Sequence, residues 1–357
     1  MKRAVVLLVA TLLLAACEPQ PRPRTPDEVR AALLRKLPPK LADRQGWAED
    51  VRVSFAALKV KPSDENLCAA LAVAEQESNY VADPVVPGLS RIATQEIIRR
   101  AGAHGVPEFA VRLALQMDSP NGESYERRLA KVRTERELSE IYEALIGSIP
   151  MGRRLLANAN PVHTGGPMQV SIAFAHNFAR KHDYPWGEIS SVRHEVFTRR
   201  GGMYFGIAHL LAYPVTYDRH LYRFADYNAG FYASRNAAFQ QAITRVSGID
   251  IPFDGDLLIY GKRKVGATES ALRAMAFQLE MDDKQIRRDL EKGQSADFEK
   301  TRLWQRTFAL ADQLERTPLP HARLPSIRLD SPKITRRLTT EWFAKRVETR
   351  YRRCMAR

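Results

Sequence analysis

Between residues 64 and 353, twelve stretches of the chain repeat their apolar residues every three to four positions, the period of an α-helix. Only two short segments alternate as a half-buried strand would: VRVSFAAL from Val51 and GDLLIYG from Gly255. A chain with that balance buries its apolar surface by packing helix on helix, so the expected fold class is mainly α. Internal repeats are absent. The segment Pro318 to Pro332 carries four prolines and reads as a linker ahead of a terminal basic helix.

The N-terminus indicates the compartment. MKRAVVLLVATLLLAAC sets Lys2 and Arg3 before an apolar run from Ala4 to Ala16, a secretory signal too short for a permanent membrane span. Leu14-Ala15-Ala16-Cys17 looks like a bacterial lipobox, which implies that Cys17 is lipidated and becomes the mature N-terminus. A plain cleaved signal with an accidental cysteine is the alternative. Glu18 follows, not the aspartate that tends to retain such lipoproteins in the inner membrane. The resemblance therefore implies the outer membrane, with the chain anchored by several acyl chains and facing the periplasm. EPQPRPRTPDE, residues 18 to 28, is proline-rich and polar. We assign 1–16 to the signal peptide and 17–30 to a lipidated tether.

Export limits the partners. The net charge is +14, and residues 301 to 357 hold 14 Lys and Arg against 5 Asp and Glu, a surplus of nine. Nucleic acid is excluded by the compartment. Anionic headgroups, the acidic stems of the wall polymer, or solvent alone remain for that tail. Cys68 and Cys354 could form a disulfide in an oxidising compartment; the sequence leaves open whether they meet.

AVAEQESNY, residues 72 to 80, holds the first chemical clue. On a helical wheel Leu67, Ala70, Leu71, Val73, Ala74 and Ser78 share one side, and Glu77 falls within that arc. Gln76 is expected to face solvent, and Glu75 points nearly opposite Glu77, so the two cannot pair. Ser63 is placed to cap the helix, with Asp64 and Glu65 on its first turn. A glutamate among apolar neighbours loses hydration of its charged form, so its pKa should rise towards the range acid catalysis uses. A salt bridge or a helix N-terminus satisfying it is the competing reading.

Two further motifs follow. GGPMQVS, residues 165 to 171, is a glycine-rich turn entering a helix, and ADYNAG, residues 225 to 230, closes another helix with Gly230 as its stop. Ahead of the latter, GGMYFGIAHLL puts Met203, Ile207, Leu210 and Leu211 on the apolar face of a core helix. The glutamate-serine pair, the Gly-X-Met-Gln turn and Tyr-Asn-Ala-Gly together resemble the three signatures of the soluble lytic transglycosylase domain. That domain has a lysozyme-like α fold and cleaves peptidoglycan glycan strands. The likeness covers about 62–82 and 160–245. The overall organisation is similar to that of a group of uncharacterised bacterial lipoproteins.

The resemblance implies roles. Glu77 would be the acid/base, with Ser78, Met168, Gln169, Tyr227 and Asn228 around the substrate. Ser78 would fix local geometry or touch an acetamido group, and Tyr227 would hydrogen-bond the glutamate or the sugar. Asn228 suits a tie between helix ends better than a sugar contact. For Met168, Gln169 and Tyr227 a core residue, a turn cap and a structural hydroxyl are the alternatives. No cofactor and no metal are implied; His163 and His194 read as loop or surface residues. The expected fold is a lysozyme-like core over 31–250, interrupted by a helical insertion at 90–160 and followed by helices and a basic tail over 251–357.

Three departures from the family pattern matter. Pro167 replaces a leucine, removing an N–H donor. Asp226 stands where an alanine precedes the tyrosine, either as a solvent-facing replacement or as a second carboxylate in the cleft, which would permit an inverting muramidase. Glu77 and Gln169 are separated by 91 residues instead of a short loop. A non-catalytic wall-binding lipoprotein is the third reading.

Overall fold

Helices dominate the computed structural model, which describes residues 22–103, 105–148, 160–329 and 338–357. The signal peptide, Cys17 and the tether up to residue 21 lie outside the described residues, so lipidation is not addressed. The tether ends sooner than expected. Helix α1 (Pro26–Lys36) already starts inside it, because Thr25 and Glu28 form a reciprocal capping box and Val29, Ala32 and Leu33 enter the core.

Helix α2 (Arg44–Ala57) corrects the first strand expectation. VRVSFAAL is helical: Trp47, Ala48, Val51, Ser54 and Phe55 are its buried residues, at spacings of one, four, seven and eight. An alternation this short fits either period, and the apolar residues ahead of it decide for the helix. GDLLIYG is irregular chain, and the described strands lie elsewhere, as two two-residue hairpins.

Helix α3 (Asp64–Ser78) is the axis of the molecule. Ser63 caps it through the Asn66 N–H, as expected. Every residue from Leu67 to Ala74 is buried, so it is not the two-faced surface helix that its sequence suggests. Helices α1 and α2 lie to one side. A helical lobe follows, built from α4 (Leu89–Ala103), α5 (Glu108–Leu115), α6 (Tyr125–Lys131) and α7 (Glu135–Ser148). Its core of Leu89, Tyr125, Leu129 and Ile141 is continuous with Val170, Ile172, Phe197 and Phe205 of the main body.

A hairpin, β1 (Thr164–Gly165) with β2 (Val170–Ser171), brings the chain back and runs into α8 (Ile172–Ala179). After α9 (Val192–Val196) come α10 (Arg199–Leu211), α11 (His220–Ala229) and α12 (Ala233–Ser247). Gly230 ends α11 with φ of 107°, as expected. Helices α13 (Ala267–Ala274), α14 (Ala276–Leu279), α15 (Asp283–Leu290) and α16 (Arg302–Glu315) form a separate core with α12 around Phe239, Leu272, Phe298 and Trp304.

The last helix, α17 (Thr340–Met355), corrects the expected boundary at 251. It leaves the C-terminal bundle and packs on α3 and α11, with Phe343, Ala344, Val347 and Cys354 in the first core. Cys354 is disulfide-bonded to Cys68 of α3, with 5.5 Å between the Cα atoms. Part of the basic tail is neutralised in the process. Arg353 pairs with Glu75 at 2.9 Å, and Arg350 lies 3.8 Å from the same carboxylate. The α3 side that was expected to face solvent is therefore covered, and the Gln76 Oε1 atom is buried without a partner.

Candidate active site

Glu77 occupies the last turn of α3 and is half-buried. Among the described residues its carboxyl has neither an ion pair nor a hydrogen-bond donor. Burial pushes its pKa up to about 8. The location adds to this, because the C-terminal end of a helix carries partial negative charge that disfavours another anion. A carboxyl in this state is a proton donor at neutral pH.

The backbone beyond it is held in an unusual shape. Asn79 and Tyr80 follow with φ of 52° and 62°, two left-handed residues in succession. Asparagine tolerates this region, whereas tyrosine rarely enters it. Tyr80 is anchored by burial and by an edge-on ring contact with Trp47 at 5.4 Å. The turn fixes Ser78, whose hydroxyl donates to the carbonyls of Pro167 at 2.8 Å and Ala74 at 3.1 Å. Ser78 is thus the latch between the Glu77 helix and the second motif, in keeping with a geometric role.

The second motif lies on α10 because glycines make room for it. A Cβ at Gly206 would fall 2.5 Å from the Met168 sulfur, and one at Gly166, φ 72°, would fall 2.0 Å from the Val196 carbonyl oxygen. Met168 is fully buried, so its side chain is core, not cleft lining. Its carbonyl accepts the Tyr227 hydroxyl at 2.7 Å. Gln169 is left-handed, φ 50°. Its Nε2 donates to the Gly166 carbonyl, and its Oε1 accepts the Thr164 hydroxyl at 3.1 Å. Both ends of that amide are engaged within the hairpin.

Tyr227 connects the third motif to the other two. Burial raises its pKa well above the ordinary tyrosine value, and the nearby Glu77 charge raises it further. Its hydroxyl proton goes to Met168, not to Glu77. Asn228 is a tie between helix ends: its Oδ1 accepts the Thr340 hydroxyl at the start of α17.

Asp226 is a different case, and it corrects the idea of a second carboxylate in the cleft. It is 1% exposed, and it accepts from Tyr217 Oη at 2.7 Å, Tyr213 Oη at 3.2 Å and the Ser234 N–H at 2.7 Å. The last contact caps α12, whose own N-cap, Tyr232, supplies no side-chain acceptor. A carboxyl buried to this degree and engaged by three donors serves as an internal cap.

His209 escaped the sequence reading. Its ring contacts Tyr227 at 4.9 Å, Phe231 at 4.7 Å and Phe174 at 4.7 Å, and its Nδ1 is buried without a partner. Burial lowers its pKa to about 4, so the ring is neutral. A signal was available: Gly202, Gly206 and His209 stand at i, i+4 and i+7, which puts the histidine on the glycine face that receives the loop. His163 and His194 are exposed, as read, with His194 against Glu143.

A cavity of about 790 Å³ opens at the opposite end of α3, between Arg24, Val29, Phe55, Val60 and Ser63. It is remote from Glu77 in the helix and includes none of the three motifs.

A family model for proteins of unknown function, DUF1615, matches residues 40–357. The chain belongs to that family. It is 52% identical over 353 residues to the uncharacterised protein YaiW of Escherichia coli strain K12, a match spanning 98% of this chain and 96% of that one. No solved structure matches it. The DUF1615 match includes Glu77, Gln169, Tyr227 and the disulfide cysteines. Among the described residues no helix is long and apolar enough to cross a membrane.

Proposed function

We propose that this chain is a peptidoglycan lytic transglycosylase with a lysozyme-like core, lipid-anchored through Cys17 to the outer membrane and facing the periplasm. The observation that carries this reading is the unpaired carboxyl of Glu77, raised to about 8 where Ser78, the Gly165–Ser171 turn and Tyr227 converge. Glu77 gives its proton to the oxygen linking N-acetylmuramic acid to N-acetylglucosamine, and the glycosidic bond breaks. The carboxylate then takes the proton of the muramic 6-hydroxyl as that oxygen closes on the anomeric carbon. The proton is returned, no water is consumed, and a 1,6-anhydro end results. One carboxyl suffices because the substrate brings its own nucleophile, in the manner of substrate-assisted glycosidases.

Ser78 and Tyr227 act by position. Each fastens the second motif to its own helix, so the three chain segments that frame Glu77 move as one. The engagement of Asp226 by three donors speaks for this route over a two-carboxylate hydrolase.

The test is mass analysis of soluble products from sacculi incubated with the chain lacking residues 1–17. Anhydro-muropeptides, lost in Glu77→Gln, are expected. Reducing-end muropeptides would overturn the transglycosylase reading in favour of hydrolysis. Binding to sacculi without products would make the chain a wall-binding lipoprotein.

A further inference from the structure

One set of side chains is unused by the chemistry above. From Tyr227, ring contacts continue to His209 at 4.9 Å, to Phe174 at 4.7 Å, to Phe178 at 5.5 Å and to His182, stacked on Phe178 at 3.8 Å with planes 5° apart. Phe231 flanks the row, 4.7 Å from His209 and 5.8 Å from Phe174. Two features set it apart from an ordinary core. The neighbouring Tyr204 and Phe205 are sealed, whereas Phe174, Phe178, Phe231 and Tyr227 each keep part of their surface and His182 is exposed. In addition, the row begins at the tyrosine beside Glu77 and leads away from it along α8 (Ile172–Ala179).

We infer that Phe174, Phe178, His182 and Phe231 form a sugar-stacking platform that receives N-acetylated β-1,4 glycan on one side of the bond presented to Glu77. A pyranose has an apolar face of C–H groups, and an aromatic ring is its natural counterpart, since the ring supplies contact area and a negative face at little entropic cost. His209 fits the same role while neutral, for a charged imidazole in the row would demand hydration.

The platform rests on the glycan-cleaving reading of the site, yet it is testable apart from it. The probe is chitotetraose, titrated by saturation-transfer NMR against the chain carrying Glu77→Gln, which binds without turnover. Added Phe174→Ala is expected to weaken binding about three- to tenfold, the range of one aromatic contact. Phe178→Ala and His182→Ala should weaken it by smaller factors. His182 is exposed, so its replacement tests the platform even if Phe174→Ala fails to fold. Unchanged affinity in His182→Ala and Phe178→Ala overturns the platform, as does absence of saturation transfer to chitotetraose from the chain with the row intact. If these variants still lose affinity while sacculi yield no product, the platform stands and the catalytic reading falls. If Glu77-dependent products form but affinity is unmoved, the reverse holds.

Discussion

Glu77 is half-buried and Glu269 fully buried, and the chain treats the two carboxyls in opposite ways. Glu269, in the bundle around α12, is fully buried and receives the guanidinium groups of Arg273 and Arg287, the latter at 2.8 Å. Among the described residues, Glu77 receives no cation. Burial alone therefore does not make an acid; burial without a counter-charge does. The bundle spends its charges on holding itself together, and the motif region leaves one free to react.

The contrast breaks most directly at Glu77. Glu77→Gln should lower the rate of sacculus solubilisation on the order of 10²–10⁴-fold while folding normally. Its pH signature distinguishes it from a stability defect. The folded-state pKa is raised to about 8, so the native chain holds a proton between pH 4.5 and 8 that the unfolded chain has lost. Stability should fall across that window as pH rises, and level off above it. Urea unfolding at pH 5 and pH 9 reads this: the drop is present with Glu77 and smaller in Glu77→Gln. An equal drop in both chains would assign the proton to another group.

The paired carboxylate should respond the other way. Glu269→Ala removes the buried carboxylate that Arg273 and Arg287 share, leaving them Asp283 and the Lys262 carbonyl as partners, and is expected to cost about 1–3 kcal/mol of stability by urea titration. Product chemistry in whatever remains folded should be unaltered. A loss under 1 kcal/mol would mean that the bundle relaxes around the vacancy and that its charges are not structural.

The disulfide tests how far the motif region depends on a distant segment. Cys68→Ser with Cys354→Ser removes the covalent tie between α17 and α3 and leaves their packing and the Arg353–Glu75 pair, and about 2–4 kcal/mol is the expected loss of unfolding free energy. Activity should fall with it, because α17 also carries Thr340, the partner of Asn228. Activity that survives intact would show the last helix to be a cover only.

What the sequence made legible follows from how local each signal is. The Ser63 cap, the glycine turn at 165–171 and the stop at Gly230 each depend on a few neighbouring residues, and the structure has each of them. The helical wheel, by contrast, sets Glu77 among apolar residues and leaves open whether a salt bridge satisfies it. The covered side of α3 was not legible. Gln76 looks solvent-facing on a wheel and Glu75 points away from Glu77, yet Gln76 Oε1 is buried and Glu75 pairs with Arg353, 278 residues further along the chain. Asp226 failed for a related reason: its three donors come from residues 213, 217 and 234, none within a helical turn of it. Spacing could have flagged His209, had the glycines of α10 been read as a landing surface for the second motif.

Those glycines allow the finest comparison. A methyl group on Gly206 would lie 2.5–2.6 Å from Met168, a side chain that is fully buried and whose carbonyl holds Tyr227. Gly102, near the end of α4 in the lobe, has nothing within 4 Å of the same added carbon. Gly206→Ala should therefore cost about 1–3 kcal/mol, the penalty of overpacking, whereas Gly102→Ala should be neutral or gain roughly 0.5–1 kcal/mol from helix propensity. Activity sharpens the distinction. In Gly206→Ala the loop must lift off α10, carrying the Met168 carbonyl and the Ser78 anchor at Pro167 with it, so sacculus cleavage should drop further than thermal stability accounts for. Gly102→Ala should cleave at the normal rate. If Gly206→Ala loses stability but keeps full activity, the second motif can shift without disturbing Glu77, and the coupling of the three segments around the acid is refuted.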